Sequence, residues 1–475
     1  MNNQNCCASV NKPSDNATWV AGETAGCKFR DARLSKRLNN LLQVLGDGVG
    51  RTVPLACQDL ANTKAAYRFF DNDRVDDQAI LAGHFQASRD RAQATSGPLL
   101  ILHDTTEFSY MRDEPELVGL SGGSVRKNGQ ATSGKKCGVL MHSSLALTPE
   151  GLPLGMCAIK FWSRAEQEGA TAEKKKKSGR LPIEEKESFR WLENLRQSSD
   201  LLAQPERCVH IGDRESDIYE FFCTAQELGT RFLVRRRVER RTDDGENTIT
   251  KEMAEVAVQG LHRIEFRDAQ SQDCEALLEI KYQRLTVFAS PGKKNVPSQL
   301  ELTVVHAQER DTPPGREPLK WNLITNLPVD SEAQALEKID WYAMRWKIET
   351  FHKILKSGCK AEDLRLRTAA RLTNVISIYC VVSWRIFWMT MINRIQPDAD
   401  PDVALAPVEI KVLDKLRPDK TKSPKTLSHY LVKLAKLGGY LARNNDGPPG
   451  PTVIWRGLAR LHDVVFGFQI AESCG

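Results

Sequence analysis

Trp341-Tyr-Ala-Met-Arg-Trp-Lys-Ile-Glu-Thr-Phe-His-Lys-Ile-Leu-Lys356 contains neither proline nor glycine and is rich in good helix formers, so the sequence predicts one continuous helix. At roughly 100° per residue, Tyr342, Arg345, Glu349 and Lys356 fall within about 60° of one another. One face thus carries a phenol, a guanidinium, a carboxylate and an ammonium, while Ile348, Phe351 and Leu355 face a core. Two cations flanking one carboxylate suit a phosphate and a divalent metal on the same substrate. The same charges would equally serve as ion pairs along a solvated helix, and the remainder of the chain distinguishes the two.

Working outward, 475 residues with 41% hydrophobic and 27% charged content fit a soluble globular protein of about three domains. The net charge of +6 sets 67 basic against 61 acidic residues, enough acid to mask local basic patches. The 12 cysteines form no C-x-x-C pair, which argues against a zinc ribbon or a disulfide scaffold and fits reduced cytosolic thiols. No basic segment followed by an apolar run opens the chain, so no secretory signal is predicted. Val375 to Ile392 is apolar enough to raise a membrane question, but Arg385, Ser377, Ser383 and Thr390 interrupt it and predict a buried core helix.

Residues 1 to about 18 read as a polar, loosely ordered start. Trp19 to Phe70 is helical in pattern: Leu34, Leu38, Leu41 and Leu42 share a face, and a second helix is predicted from about Pro54 to Phe70. Exposed Arg and Lys on these helices suit a DNA-binding module or a basic solvated pair. Pro98-Leu-Leu-Ile-Leu-His-Asp104 reads as a buried strand ending in an acid, and Arg207-Cys-Val-His-Ile-Gly-Asp213 repeats the design. Gly138 to Leu147 and Leu152 to Ile159 form a predicted hairpin around Pro149-Glu-Gly. Lys174 to Lys177 belong to a predicted surface loop that alternatively touches phosphates. Arg231 to Arg237 reads as another strand ending in a basic cluster extended by Arg240 and Arg241, and residues of about 238–316 alternate as an inserted antiparallel β subdomain. The strand Lys320 to Asn326 then leads back to the opening helix, and Gln396-Pro-Asp-Ala-Asp-Pro-Asp marks a boundary before a helical tail.

Three acids stand out by position. Asp104 and Asp213 terminate predicted strands, where side chains project beyond the packed layer, and Glu349 lies on a helix just behind another strand. Three carboxylates brought together repel unless cations lie among them, and hard oxygen donors with few histidines suit Mg²⁺ or Mn²⁺ rather than Zn²⁺. Glu107, Glu215 and Asp217 are local alternatives.

Tyr342-x-x-Arg345-x3-Glu349-x6-Lys356 resembles the Y-R-E-K signature of bacterial insertion-sequence transposases of the DDE type, in the insertion-sequence-four family that includes the Tn-five transposase. His103-Asp-Thr-Thr-Glu-Phe-Ser-Tyr110 and Gly212-Asp-Arg-Glu-Ser-Asp217 resemble that family's two acid boxes. Asp31-Ala-Arg-Leu34, Ala66-Tyr-Arg-Phe69, Pro318-Leu-Lys-Trp321 and Leu437-Gly-Gly-Tyr440 extend the resemblance over nearly the whole chain. It implies an α/β fold: an RNase H-like core over 75–395 interrupted by the β insertion, between an N-terminal helical DNA-binding domain (1–74) and a C-terminal helical dimerisation domain (396–475). It further implies a homodimer acting on transposon ends and target DNA in the bacterial cytoplasm, with Asp104, Asp213 and Glu349 binding two Mg²⁺ or Mn²⁺ ions. Tyr342, Arg345 and Lys356 would grip phosphates and Trp321 would stack on a flipped base. Arg37, Arg68, Arg235 and Arg237 would contact end DNA. A nuclease of the same fold that does not join strands, and a non-catalytic DNA-binding or inhibitory relative, are the competing expectations.

Overall fold

The computed structural model describes residues 19–119, 126–127, 130–131, 135–164, 181–243, 245–267, 273–293, 295–419 and 424–474. The N-terminal extension and the Lys174 to Lys177 run lie outside these residues.

The N-terminal helices are Trp19–Thr24, Ala32–Asp47, Val53–Cys57 and Leu60–Phe70. Asp31 caps the second by accepting the Arg33 amide, and Leu38, Leu41, Leu42 and Leu45 bury its inner face. The single helix predicted from Pro54 to Phe70 is instead two. Gln58 takes a left-handed conformation (φ 64°), and Asp59 restarts the helix by accepting the Asn62 amide at 2.7 Å. An acid able to cap outcompetes helix continuation at that point.

The sheet begins with β1 (Leu99–Arg112), followed by the short strands β2 (Arg126–Lys127) and β3 (Gln130–Ala131), which pair only with each other. Then come β4 (Lys135–Leu147), β5 (Pro153–Trp162), β6 (Cys208–Gly212), β7 (Arg231–Arg235), β8 (Arg241–Thr242) and β9 (Asn247–Thr248). The last four are β10 (Gly260–Arg267), β11 (Asp273–Phe288), β12 (Gln299–Arg310) and β13 (Lys320–Thr325). Spatial order is β5-β4-β1-β6-β7-β13-β12-β11-β8-β9, with β10 on β11. Among the described residues only the β1–β6 and β6–β7 pairings are parallel; the rest are antiparallel. The inserted strands therefore prolong the central sheet through β13.

Helices Arg190–Leu202 and Tyr219–Glu227 cover one face, where Trp191, Phe221, Phe222 and Phe232 pack with Val287 and Leu302 of the insertion and Ile324 of β13. On the other face, Ala369–Ile395 runs as a central post. It is long and apolar enough to cross a membrane, yet 89% of its most apolar window is buried inside the protein. Arg385 within it lies over the Trp19 ring and donates to the Ala404 carbonyl at 2.9 Å, tying both termini to the post. The C-terminal helices Pro407–Leu416, Leu427–Leu437 and Pro451–Cys474 pack beside it. Cys27, Cys57, Cys137, Cys157, Cys208, Cys223, Cys274, Cys359 and Cys380 are free thiols.

A second anchor joins the N-terminus to this framework. Glu23 bonds the His84 Nδ1 and, at 2.6 Å, the Arg91 guanidinium, both on the helix Asp77–Gln93. His84 Nε2 accepts the Met156 amide of β5 at 3.0 Å, so Nδ1 carries the proton and the ring is neutral. Arg91 stacks 4.0 Å over Trp384 on the central post. Burial pushes Glu23 upward, but Arg91 and His84 outweigh it and leave the carboxyl at about 2.

Candidate active site

β1 does not end at Asp104, as its apolar run predicted, but continues to Arg112 against β4. What ends is its parallel neighbour: β6 pairs only as far as Leu102 with Ile211. Beyond that register β1 loses its partner on one edge, and Asp104 stands at the gap. Asp213 follows β6 directly and accepts the Glu215 amide at 2.8 Å. Gly212 precedes it because a Cβ there would meet Ser216 Oγ at 2.2 Å and the Trp191 ring at 3.0 Å. The two acids thus leave neighbouring parallel strands at the same end of the sheet.

The predicted Trp341–Lys356 helix is broken. One helix, Glu332–Ala343, ends before Met344; a second, Trp346–Lys353, carries Glu349; a wider turn, Ile354–Gly358, carries Lys356. Amides of Arg345, Lys347 and Ile348 each reach back three residues instead of four, tightening the backbone. No breaker residue marks the joint. Packing imposes it, with Trp341 and Tyr342 buried before it and Ile348, Phe351 and Leu355 fully buried after it. Arg345 then folds back onto Glu349, Nη2 to Oε1 at 2.6 Å, so the intrahelical ion pair of the plainer reading is present within the site itself.

Asp104 registers the whole constellation. Burial pushes its carboxyl up to about 7; Arg345 pulls it down, and Asp213 and Glu349 push it up again. Asp104 therefore feels both other acids, although among the described residues no three His, Cys, Asp or Glu side chains are gathered tightly enough to hold a metal ion.

Tyr342 is 5% exposed, with its hydroxyl pKa raised by burial, and Trp321 on β13 meets its ring edge-on at 5.9 Å. Arg235 donates to the Lys320 carbonyl at 2.9 Å and adds its charge near Tyr342. Lys356 reaches β1 three residues beyond Asp104, donating to the Glu107 carbonyl at 2.6 Å, and lies 3.7 Å from Glu362. Arg237 is exposed beyond β7, and Arg37 and Arg68 sit on the N-terminal helices.

Two neighbours went unread in the sequence. His352 donates or accepts at Ser143 Oγ (2.9 Å) and stands 3.6 Å from Asp104. Burial, with Lys356 and Arg345, pushes its pKa to about 3, so it meets Asp104 as a neutral ring. Its spacing three residues after Glu349 was the available signal. Arg190 bridges Thr105 Oγ1 (3.1 Å) and Glu215 (2.6 Å), and no local motif points to it. Asp217, by contrast, is structural: it pairs with buried Arg240 at 2.6 Å and accepts the Arg237 and Val238 amides.

The mixed sheet thus delivers two acids from adjacent parallel strands, and a following helix carries the third. Three family models match this chain: transposase DNA-binding over residues 16–75, transposase DDE domain over 184–384, and transposase Tn5 dimerisation domain over 381–475. The chain belongs to the Tn5-like DDE transposases. It is accordingly a DNA-binding transposase with a domain for homodimer formation.

Proposed function

We propose that this chain performs cut-and-paste transposition, binding the inverted repeats at its element's ends, freeing them through a hairpin intermediate and joining them to target DNA in the bacterial cytoplasm. The reading is supported above all by the electrostatic convergence of Asp104, Asp213 and Glu349 from three separate elements. The order β5-β4-β1-β6-β7, antiparallel on one side of β1 and parallel on the other, supports an RNase H-like core. We divide the chain into a DNA-binding part (1–74), a catalytic part (75–395, insertion about 238–316) and a dimerisation part (396–475).

Asp104, Asp213 and Glu349 would hold two Mg²⁺ or Mn²⁺ ions, the countercharge that removes the repulsion at Asp104. Such ions supply Lewis-acid stabilisation of the attacking and leaving oxygens of an in-line displacement. Arg345 and Lys356 orient the scissile phosphate by charge-assisted hydrogen bonds. Tyr342 shares the Arg345 end of the site. Trp321 offers its ring to a base unstacked beside the hairpin, replacing lost base stacking. Arg37, Arg68, Arg235 and Arg237 hold the end DNA by its backbone.

The test is incubation with Mg²⁺ and duplexes carrying the inverted repeats that flank the coding sequence. Hairpin-ended products and joined target DNA are expected. Cleaved ends without hairpins would make the protein a nuclease, and binding without cleavage a non-catalytic relative.

The dimer surface follows from the last helix, where Val464 and Phe466 are 38% and 54% exposed. Apolar side chains on a dimerisation segment seek a partner. Phe466→Glu should weaken self-association by about tenfold or more, since burying one such side chain contributes roughly 1.5–3 kcal/mol. Analytical ultracentrifugation reads this directly; an unchanged dimer constant would move the interface elsewhere.

A further inference from the structure

A cleft of about 650 Å³ opens where residues 49–50 of the N-terminal part, 353–360 beyond the Glu349 helix, and 437–460 of the dimerisation segment meet. Its lining carries Lys353, Lys360, Arg456 and Arg460 and no acidic side chain. Arg460 donates to the Leu437 carbonyl at 3.0 Å, while Lys353, Lys360 and Arg456 form no ion pair among the described residues. The floor is close-packed: a Cβ on Gly358 would meet the Trp455 ring at 3.2 Å. Like charges gathered on low-dielectric walls focus a positive field into the space between them and draw in anions. A solvated face would disperse such charges or intersperse acids among them.

Position identifies the anion. Lys353 lies one helical turn beyond Glu349, about 6 Å along the axis at 1.5 Å per residue. A strand whose phosphate sits at the acids therefore has its next phosphates within reach of this cleft. We propose that the cleft is a track for the DNA backbone continuous with the acid site, so that the dimerisation segment, through Arg456 and Arg460, grips DNA as well as the partner subunit. The proposal rests on the transposase reading above, but it concerns binding and is tested apart from cleavage.

The measurement is fluorescence anisotropy of full-length protein with a labelled end duplex at several salt concentrations. The double variant Lys360→Gln/Arg456→Gln alters side chains with no hydrogen-bond partner in the described structure. Binding should weaken by about tenfold, and the slope of log affinity against log salt should shrink by nearly two, since each phosphate contact contributes about 0.9. Light scattering should show the dimer intact. Arg68→Glu serves as the control that end DNA is bound by the N-terminal module at all: if it binds as tightly as the natural chain, the end-binding reading fails instead. Unchanged affinity and slope in the double variant, with the Arg68 control weakened, would overturn the track. Should the double variant misfold, lysine acetylation of the natural protein decides: DNA must shield Lys353 and Lys360, and equal labelling with and without DNA rejects the proposal.

Discussion

Asp213→Asn protein should bind end DNA normally and cut it at least ~10³-fold more slowly, a loss of transition-state stabilisation of about 4 kcal/mol. Asp104→Ala and Glu349→Ala should do the same. The physical reason is that each acid supplies oxygen donors to the same place, so removing one leaves too few to hold the scissile phosphate's countercharge. Folding of the Asp213→Asn protein should not suffer, whereas Glu349→Ala also takes from Arg345 its partner at 2.6 Å. Asp213 and Glu349 both push the Asp104 carboxyl up, so removing the Asp213 charge relieves repulsion at Asp104. The melting temperature without metal should hold or rise while cleavage disappears, the usual opposition of stability and activity at such sites. Nicking assays, end-binding assays and thermal melts on the same preparations separate the outcomes. Normal cleavage by any one variant would remove that residue from the site; lost folding would make its role structural.

The second large effect lies far from the chemistry. Glu23→Ala should cost roughly 3–5 kcal/mol, the penalty for removing one partner of a buried charged network, because Arg91 would keep its charge with its carboxylate gone. His84 would lose the acceptor of its Nδ1 proton at the same time. Denaturant unfolding measures the cost, and proteolysis near Thr24 should rise as the first helix detaches. A cost under about 1 kcal/mol, typical of exposed pairs, would contradict the buried-anchor account. The acid response has a definite sign. Glu23 is held at about 2 against an ordinary 4.5, so its contribution is full above about pH 4.5 and lost as pH falls towards 2. Glu23→Gln should flatten that part of the stability–pH curve.

Much of the site was readable because its residues sit in short local patterns: an apolar run ending in an acid, twice, and a charged face on a helix. The apolar Val375–Ile392 stretch was likewise legible as core, since Arg385 inside it demanded protein partners. What escaped was set by packing between distant segments. The joint at Met344–Arg345 has no breaker and arises from aromatic burial on either side. Asp104 looked like a strand end because the apolar run stops there, whereas the strand continues against β4 and only its β6 neighbour stops. Arg190 reaches Thr105 across 85 positions, a contact that no local spacing encodes.

The continuity of the sheet through β13 has a consequence for anyone who would simplify this protein. An insertion closed on itself can be trimmed or transplanted as a cassette. Here β12 supplies the partner along one whole edge of β13, from Lys320 to Thr325, while β7 covers only part of the other. A chain shortened by removing β10 to β12 would leave β13 as a naked, largely apolar strand edge, inviting another molecule to pair with it. Such a truncation should aggregate rather than yield a minimal enzyme, and it would unseat Trp321 with the strand that carries it.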